Sequence, residues 1–249
     1  MTLKKLFRNL WFKFHERTYN DRLKYLFENN HSNSLIVSFS GFPGDGKPSY
    51  NYVRTLSGNK KIDKLFILDD FGCRGSYYVM EDGEYTPREL VKGLIAKIMT
   101  RGEYKNVYTM GSSKGGTAAI YYGLECNATA VYSGACQYYI GNYLNKPQFA
   151  QIFKGMTGRE QTEDVVDELN SIMPKQLERH AGCKTVIHLL YSKEENTYRK
   201  HTIGLISDLK RFNIPFVERV EEFPNHDDVG KFFSPYLKAE LSKEVSKNS

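Results

Sequence analysis

Cysteine is scarce in this chain of 249 residues, and the four cysteines present follow no metal-binding spacing. None of them forms a C-x-x-C pair, so the sequence predicts neither a zinc site nor a thiol redox motif. Thiols scattered through a large domain in this way indicate reduced side chains rather than a disulfide framework. We therefore expect no metal ligand among the site residues; the cysteines are Cys73, Cys126, Cys136 and Cys183.

Long apolar runs and dense basic runs are also missing. No run is long enough to span a bilayer, and the start of the chain lacks the clean apolar stretch and small-residue cleavage site of a signal peptide. The sequence therefore predicts a cytoplasmic protein, with the inner face of the membrane as an alternative. The net charge of +6 is a mild excess. It predicts no nucleic-acid partner; it suits an anionic one, such as a phosphorylated cofactor or an acidic polysaccharide, and equally suits no charged partner at all.

Residues 1–30 form a segment of different character from the rest. Apolar side chains recur there at helical spacing, with lysines and arginines between them: Leu3, Leu6, Phe7, Leu10 and Trp11. This basic amphipathic pattern over residues 1–18 predicts either attachment to a membrane surface or a helix that packs on its own domain or on a partner subunit. A homo-oligomer therefore stays open. We assign residues 31–245 to one domain, since no linker or repeat interrupts them.

Compact apolar runs alternate with amphipathic helical patterns over that domain. Strands that alternate with helices imply a mostly parallel sheet with helices on both faces, so the predicted fold class is α/β. A more polar, mainly helical stretch at 146–180 is interpreted as a lid or insertion over the sheet. The runs predict strands at 35–40, 64–68, 106–110, 128–132, 185–191 and 215–220, and a short extended segment at 76–80.

The most informative motif is Gly111-Ser112-Ser113-Lys114-Gly115, which fits G-x-S-x-G between a predicted strand and a predicted helix. In the α/β-hydrolase fold this motif forms a turn so sharp that its neighbours must be small, and the serine oxygen projects above the sheet. The sequence predicts Ser113 as the nucleophile and the backbone N–H of Lys114 as an oxyanion donor. Ser112 is out of register with the motif. The alternative is a tight strand–helix turn without chemistry.

The catalytic base and acid of this fold come late in the chain. His226 lies in a loop after the last predicted strand and is the candidate base, whereas His188 falls in a strand and His201 in a helix. The acid is expected after the preceding strand, where Glu194 and Glu195 both stand. A carboxylate there can accept the imidazole N–H and fix its tautomer. We favour Glu195 and leave Glu194 open.

A second oxyanion donor is expected in the loop after an early strand. That loop is Ser40-Gly41-Phe42-Pro43, and the backbone N–H of Gly41 or Phe42 is the candidate because Pro43 has none. The alternative is a plain turn.

Taken together, these pieces resemble the bacterial capsular-polysaccharide O-acetyltransferases with an α/β-hydrolase fold. A more distant resemblance is to the accessory secretion proteins that acetylate sugars on secreted adhesins. The Ser-Ser-Lys-Gly-Gly piece is the most distinctive, and the first 30 residues match poorly. The matching pieces are Phe39-Ser40-Gly41-Phe42-Pro43, Tyr50-Asn51-Tyr52-Val53, Arg74-Gly75-Ser76-Tyr77-Tyr78, Gly111-Ser112-Ser113-Lys114-Gly115-Gly116, Lys193-Glu194-Glu195 and Asn225-His226-Asp227.

The resemblance implies acetyl-CoA as the donor substrate, a carbohydrate hydroxyl as the acceptor and no bound cofactor. It implies a ping-pong reaction through an acetyl-serine, with Ser113 as nucleophile, His226 as base and Glu195 as acid. The family has aspartate at the acid position. Glutamate is one methylene longer, so we expect its carboxylate to fold back or its loop to shift. Basic side chains suited to CoA phosphates or an anionic glycan are Arg74, Lys47 and Lys114.

Two other functions fit the same residues. A carbohydrate esterase or deacetylase would use the same triad and differ only in its acceptor. A non-catalytic scaffold of a glycan-assembly or secretion complex would keep the fold without using the triad.

Overall fold

The computed structural model describes residue 12, residues 14–43 and residues 46–247, and an eight-stranded sheet runs through them. The strand order is β1-β2-β4-β3-β5-β6-β7-β8. Strands β3 to β8 are parallel to one another, while β1 and β2 are antiparallel additions at one edge, where β2 pairs with β4. The strands are β1 Arg17–Tyr19, β2 Leu23–Glu28, β3 Ser34–Phe39, β4 Asp63–Ile67, β5 Asn106–Ser112, β6 Ala130–Gly134, β7 Val186–Ser192 and β8 Phe216–Glu221.

Helices cover both faces of this sheet. Side chains alternate between the faces along β3, where Leu35 and Val37 join one core cluster and Ile36 joins the other. Both faces are apolar because neither is left to solvent, which is typical of a parallel sheet. The helices are α1 Val53–Leu56, α2 Thr86–Gly102, α3 Lys114–Glu125, α4 Ile140–Leu144, α5 Ala150–Thr157, α6 Glu163–Asn170, α7 Ile172–Arg179, α8 Ile203–Arg211 and α9 Val229–Lys247.

The α/β class with a mostly parallel sheet, predicted from the sequence, is confirmed. Residues 146–180 are mainly helical as predicted: they comprise a 3-10 turn, α5, α6 and α7. Helix α7 packs on α3 through the Gln176 amide, which donates to the Tyr121 carbonyl at 3.0 Å. The insertion therefore lies against the helix that follows the G-x-S-x-G motif.

The domain begins earlier than the predicted boundary at residue 31. Strands β1 and β2 pair with each other, and β2 pairs with β4, so residues 17–28 belong to the sheet. The boundary was misplaced because these two strands are short and partly exposed at the sheet edge, and such strands give a weak apolar pattern. The predicted amphipathic positions 3–11 lie outside the described residues. Among the helices that are described, none is long and apolar enough to cross a membrane.

The strand order places a crevice at a defined edge of the sheet. From β3 the chain crosses to β4 on one side, whereas β5 lies on the other side of β3. Loops that leave the carboxyl ends of two such neighbouring strands diverge and leave a crevice, where open α/β sheets bind ligands. Here the loops after β3 and β5 carry Gly41 and Ser113.

Candidate active site

Ser113 sits in the turn between β5 and α3, in a conformation that serine rarely adopts. Its φ is 55° and its ψ is −128°, outside the regions open to ordinary L residues. Glycines on both sides make the turn feasible. A Cβ on Gly111 would collide with the Gly115 carbonyl, and a Cβ on Gly115 would collide with the Phe39 carbonyl of the neighbouring loop. The required small residues and the strained serine are those of a nucleophile elbow.

Three side chains that are distant in sequence form a hydrogen-bonded chain at this turn. The Ser113 Oγ lies 2.8 Å from Nε2 of His226, at the start of a 3-10 turn after β8. On the other side of the ring, His226 Nδ1 lies 2.7 Å from Glu195 Oε1, after β7. The structure thus brings together the predicted nucleophile, base and acid. Glu194, the alternative acid, is exposed and makes no such contact with the ring.

Glu195 is held in a buried setting, with 4% of the residue exposed. The Thr197 hydroxyl donates to the same Oε1 and lies 3.5 Å from His226 Nδ1. The longer glutamate therefore reaches the ring and is fixed there by a neighbour two residues on. Thr197 was not predicted; the only signal for it was its position just after the carboxylate pair.

The loop after β3 lies beside the serine turn. A Cβ on Gly41 would lie 3.6 Å from the Ser112 carbonyl oxygen, so the backbone of this loop passes close to the backbone of the serine turn. The loop is fixed by Ser40, whose N–H donates to the Tyr78 hydroxyl at 2.6 Å. The Lys114 N–H starts α3 and has no acceptor one helical turn before it. The predicted oxyanion donors thus lie on two adjacent loops next to the nucleophile.

The Lys114 side chain was predicted to suit CoA phosphates or an anionic glycan, and its position contradicts that prediction. Its Nζ is buried and lies 2.6 Å from the buried Asp69 carboxylate, so it does not reach solvent or a CoA phosphate. Burial lowers the pKa of the Lys114 ammonium, and Asp69 opposes that shift. The ammonium also lies 4.6 Å from the centre of the Tyr78 ring and 5.5 Å from that of Phe42. It therefore connects the start of α3 to the turn that carries Tyr78 and to the oxyanion loop, the loop Ser40-Gly41-Phe42-Pro43 after β3.

The segment at 76–80 was predicted as extended, and that prediction is wrong. Tyr77 and Tyr78 have φ angles of 55° and 61°, a left-handed conformation that costs free energy in bulky residues. The Asp69 carboxylate stabilises the turn by accepting the N–H groups of Ser76 and Tyr78 at 2.8 and 3.2 Å. The turn aims Tyr78 at the loop after β3 and Tyr77 at Gln137. The alternation of residue types could not reveal this turn, because a carboxylate seven to nine residues earlier in the chain stabilises it.

We expect Lys114→Met to lower the free energy of unfolding by about 3–5 kcal/mol, because it leaves the Asp69 carboxylate buried without its cation. Urea denaturation followed by circular dichroism measures this. The double variant Lys114→Met with Asp69→Asn removes the buried charge as well, and it should recover part of the loss. A single variant as stable as the parent protein would contradict a structural role for the pair.

Arg74 and Lys47 are the residues predicted to hold an anionic substrate; Arg74 contacts the loop after β3, and Lys47 follows that loop in the chain. The Arg74 guanidinium donates to the Pro43 carbonyl at 2.9 Å, and its Nε is buried with no hydrogen-bond partner in the described part of the chain. Lys47 is exposed just beyond Pro43. The structure therefore places Arg74 against the loop after β3, and the part of both residues in binding CoA stays a prediction.

Gln137 is a site residue that the sequence did not single out. It follows β6, the strand next to β5, and it is fully buried. Its Nε2 lies 2.9 Å from Ser113 Oγ and 3.5 Å from His226 Nε2. The sequence signal was weak, since only its position after a central strand marks it.

Aromatic side chains from the loop after β3, from α4 and from the insertion form a cluster beside that loop. Phe42, Tyr143 and Phe149 stack with ring centres 5.1 to 6.3 Å apart. The Lys146 ammonium lies 4.7 Å from the centre of the Tyr143 ring. The cluster offers flat apolar faces and a cation, a combination suited to a large polar ligand, and Phe42 links it to the site through Tyr77, whose hydroxyl donates to Gln137.

His201, in a π-helix at Tyr198–Thr202, is buried against this cluster. Burial, helped by Lys146 and Lys200, lowers the pKa of its imidazole to about 4. The Tyr139 N–H donates to Nδ1 at 3.2 Å, a bond that the protonated ring cannot accept. The folded protein therefore holds His201 neutral down to about pH 4, whereas the unfolded chain protonates it near pH 6.5.

This difference makes stability depend on pH. The unfolded state binds one more proton than the folded state between about pH 6.5 and 4, so stability falls as the pH drops through that window. We expect the His201 contribution to the free energy of unfolding to fall by about 2 kcal/mol between pH 7 and pH 5. Urea denaturation at both pH values should show a smaller loss in His201→Gln. An equal loss in both proteins would contradict the buried neutral histidine.

Comparison with known proteins adds the fold family. No family model matches the chain, and no curated protein matches its sequence. The capsule O-acetyltransferase of Neisseria meningitidis serogroup A matches with a TM-score of 0.77 at 21% identity, over 91% of this chain and 94% of that chain. A mutant of that enzyme in complex with CoA matches with a TM-score of 0.76 at 20% identity, over the same shares of the two chains. The chain has the α/β-hydrolase fold.

Two further structures share this α/β-hydrolase fold. A Glycosylation Associate Protein complex from Streptococcus agalactiae matches with a TM-score of 0.73 at 17% identity, over 93% of this chain but 46% of that chain. A fluorophosphonate-binding serine hydrolase of Staphylococcus aureus matches with a TM-score of 0.64 at 12% identity, over 90% and 91% of the two chains. The predicted resemblance is thus confirmed at the level of the fold. At these identities, the function has to be argued from the site.

Proposed function

We propose that this protein is a serine-dependent O-acetyltransferase that moves an acetyl group from acetyl-CoA to a hydroxyl of a bacterial surface or capsular polysaccharide. The observation that carries the proposal is the Ser113–His226–Glu195 chain, with hydrogen-bond distances of 2.8 and 2.7 Å, at a strained strand–helix turn. This arrangement is the one that activates a serine for acyl transfer. The fold likeness to a capsule O-acetyltransferase solved with CoA supports the choice of donor and acceptor.

The first half-reaction acetylates the enzyme. His226 Nε2 takes the hydroxyl proton as Ser113 Oγ attacks the thioester carbonyl, and Glu195 stabilises the imidazolium. The N–H groups of Lys114 and of Gly41 or Phe42 bind the oxyanion. When the C–S bond breaks, His226 returns its proton to the departing CoA thiolate, leaving acetyl-Ser113 and a neutral imidazole.

The second half-reaction releases the acetyl group. A sugar hydroxyl attacks the ester carbonyl while its proton passes to His226 Nε2. The bond to Ser113 Oγ then breaks, and His226 returns the proton to that oxygen. The product is an O-acetylated sugar and the free serine, so atoms and charge balance over the cycle.

The surroundings of the triad suit these substrates. Arg74 and Lys47 beside the oxyanion loop are proposed to contact the CoA phosphates, and the stacked Phe42, Tyr143 and Phe149 to line the sugar or pantetheine path. Use of acetyl-CoA fits a cytoplasmic location, with residues 1–18 as the segment proposed to contact the membrane face, an assembly complex or a second copy of the chain.

Incubation of the purified protein with acetyl-CoA and capsule-type oligosaccharides tests the proposal. We expect release of CoA thiol that depends on the oligosaccharide, and acetylated sugar detected by mass spectrometry. CoA release without any acetylated sugar would favour an esterase. A protein that neither releases CoA nor reacts with a fluorophosphonate probe would favour a non-catalytic scaffold.

A further inference from the structure

Gln137 is a buried polar side chain that touches the triad but has no part in the reaction described above. Its Nε2 lies 2.9 Å from Ser113 Oγ and 3.5 Å from His226 Nε2, while those two atoms are themselves 2.8 Å apart. The three atoms form a closed triangle. The amide therefore lies on the side of the nucleophile that faces the histidine.

The orientation of the amide is fixed by its neighbours. The Tyr77 hydroxyl donates to Gln137 Oε1 at 3.3 Å, which leaves the NH₂ group as the one that faces the serine and histidine. The Gln137 backbone is anchored through the Thr117 hydroxyl, which donates to its carbonyl at 2.8 Å and accepts from its N–H at 3.1 Å. Gln137 is fully buried. Because its amide oxygen and its backbone are both hydrogen-bonded, the Gln137 side chain keeps a fixed position beside the triad.

The histidine side is the side that a second nucleophile needs. In the acetyl-enzyme, an incoming hydroxyl must give its proton to the lone pair on His226 Nε2 as its oxygen attacks the ester carbonyl. At that stage Ser113 Oγ is an ester oxygen and a poorer hydrogen-bond acceptor than the free hydroxyl. The Gln137 N–H group is then free to donate to the His226 lone pair, which an attacking water molecule also needs.

We propose that Gln137 determines the specificity of the second half-reaction by protecting acetyl-Ser113 from water; this rests on the proposed function. A water molecule makes few contacts with the site, so little binding energy is available for it to displace the amide from His226. A sugar acceptor binds through many groups, and part of its binding energy is available to move the amide aside. The transferred acetyl group then goes to the sugar oxygen, and the proton goes to His226 as described above.

The test measures loss of the acetyl group in plain buffer. Parent protein, Gln137→Ala and Gln137→Asn are acetylated with p-nitrophenyl acetate, and the acetyl-protein is followed by intact mass spectrometry without acceptor. We expect deacetylation by water to be about tenfold faster or more in both variants. The Ala variant removes the amide, and the Asn variant withdraws it by one methylene group.

Gln176→Ala is the matched control. Gln176 is also buried, but its amide donates to the Tyr121 carbonyl and to Glu125 on α3. Its loss costs buried hydrogen bonds without touching the triad. We therefore expect the deacetylation rate of Gln176→Ala to equal that of the parent protein.

An unchanged deacetylation rate in a Gln137 variant that still accepts the acetyl group would overturn the proposal. Slower acetylation with unchanged deacetylation would also overturn it, because it would place Gln137 in the first half-reaction. The p-nitrophenol burst reports the folded, reactive fraction, so Gln137→Asn carries the test if Gln137→Ala does not fold. Since p-nitrophenyl acetate loads the serine without CoA, the result is readable even if acetyl-CoA proves not to be the donor.

Discussion

Ser113→Ala is expected to abolish acetyl transfer, with turnover about 10⁴-fold or more below that of the parent protein. Ser113 Oγ lies 2.8 Å from His226 Nε2, and among the described residues no other hydroxyl forms a hydrogen bond to that nitrogen. Alanine keeps the Cβ of serine and loses only the hydroxyl, so the strained backbone position is equally strained in both proteins and no new clash is introduced. The variant should therefore fold normally and lose only the chemistry. CoA release with acceptor present, measured by a thiol reagent, gives the rate.

Ser112→Ala is the matched control for that variant. The Ser112 hydroxyl lies 2.5 Å from the Tyr52 hydroxyl, so it is engaged away from His226. We expect Ser112→Ala to retain most of the activity. Activity lost in Ser112→Ala and kept in Ser113→Ala would show that the wrong serine of the pair has been assigned.

Glu195→Gln is expected to reduce turnover by about 10³- to 10⁴-fold while leaving the fold intact. The amide keeps the size of the carboxylate. It cannot stabilise the imidazolium, and its NH₂ group favours the wrong tautomer of His226. The 2.7 Å contact between Glu195 Oε1 and His226 Nδ1 makes this the most sensitive position after the nucleophile and base. Steady-state CoA release measures the loss.

Glu194→Gln provides the comparison for the acid. Glu194 has the same chemistry and is adjacent in sequence, but it is exposed. We expect its substitution to change turnover little. Equal losses in the two variants would mean that the carboxylates act through the local turn and not through His226. Glu195→Asp tests whether the length of the acidic side chain matters. Its activity should lie between those of Glu195→Gln and the parent protein, because the shorter side chain withdraws the carboxylate from the ring.

The sequence predicted the parts of this molecule that depend on local pattern. The alternation of strands and helices gave the α/β class, and the glycines around Ser113 gave the nucleophile turn. The order of strands placed His226 and Glu195 after the last two strands, where loops at one edge of a parallel sheet converge. In each case residues that are close together in the sequence determine the local structure.

The groups that the sequence did not reveal are those defined by contacts between distant segments. The Asp69 carboxylate and the Lys114 ammonium are 45 residues apart, and nothing near Asp69 marks it as the partner of a buried lysine. Gln137 meets Ser113 only because β5 and β6 are neighbours in the sheet. The sequence predicts an extended segment at Tyr77 because tyrosines favour strands. The pattern does not show that the Asp69 carboxylate binds the backbone N–H groups of this turn. These residues surround the triad, where tertiary contacts override local preference.

The central claim is that Ser113 carries the acetyl group, and one measurement tests it most directly. The purified protein is incubated with acetyl-CoA alone, and its intact mass and proteolytic peptides are then analysed by mass spectrometry. We predict a gain of one acetyl group, located on Ser113 and absent from Ser113→Ala. An acetyl group on another residue, or CoA release from the parent protein without any acetylated Ser113, would contradict the account.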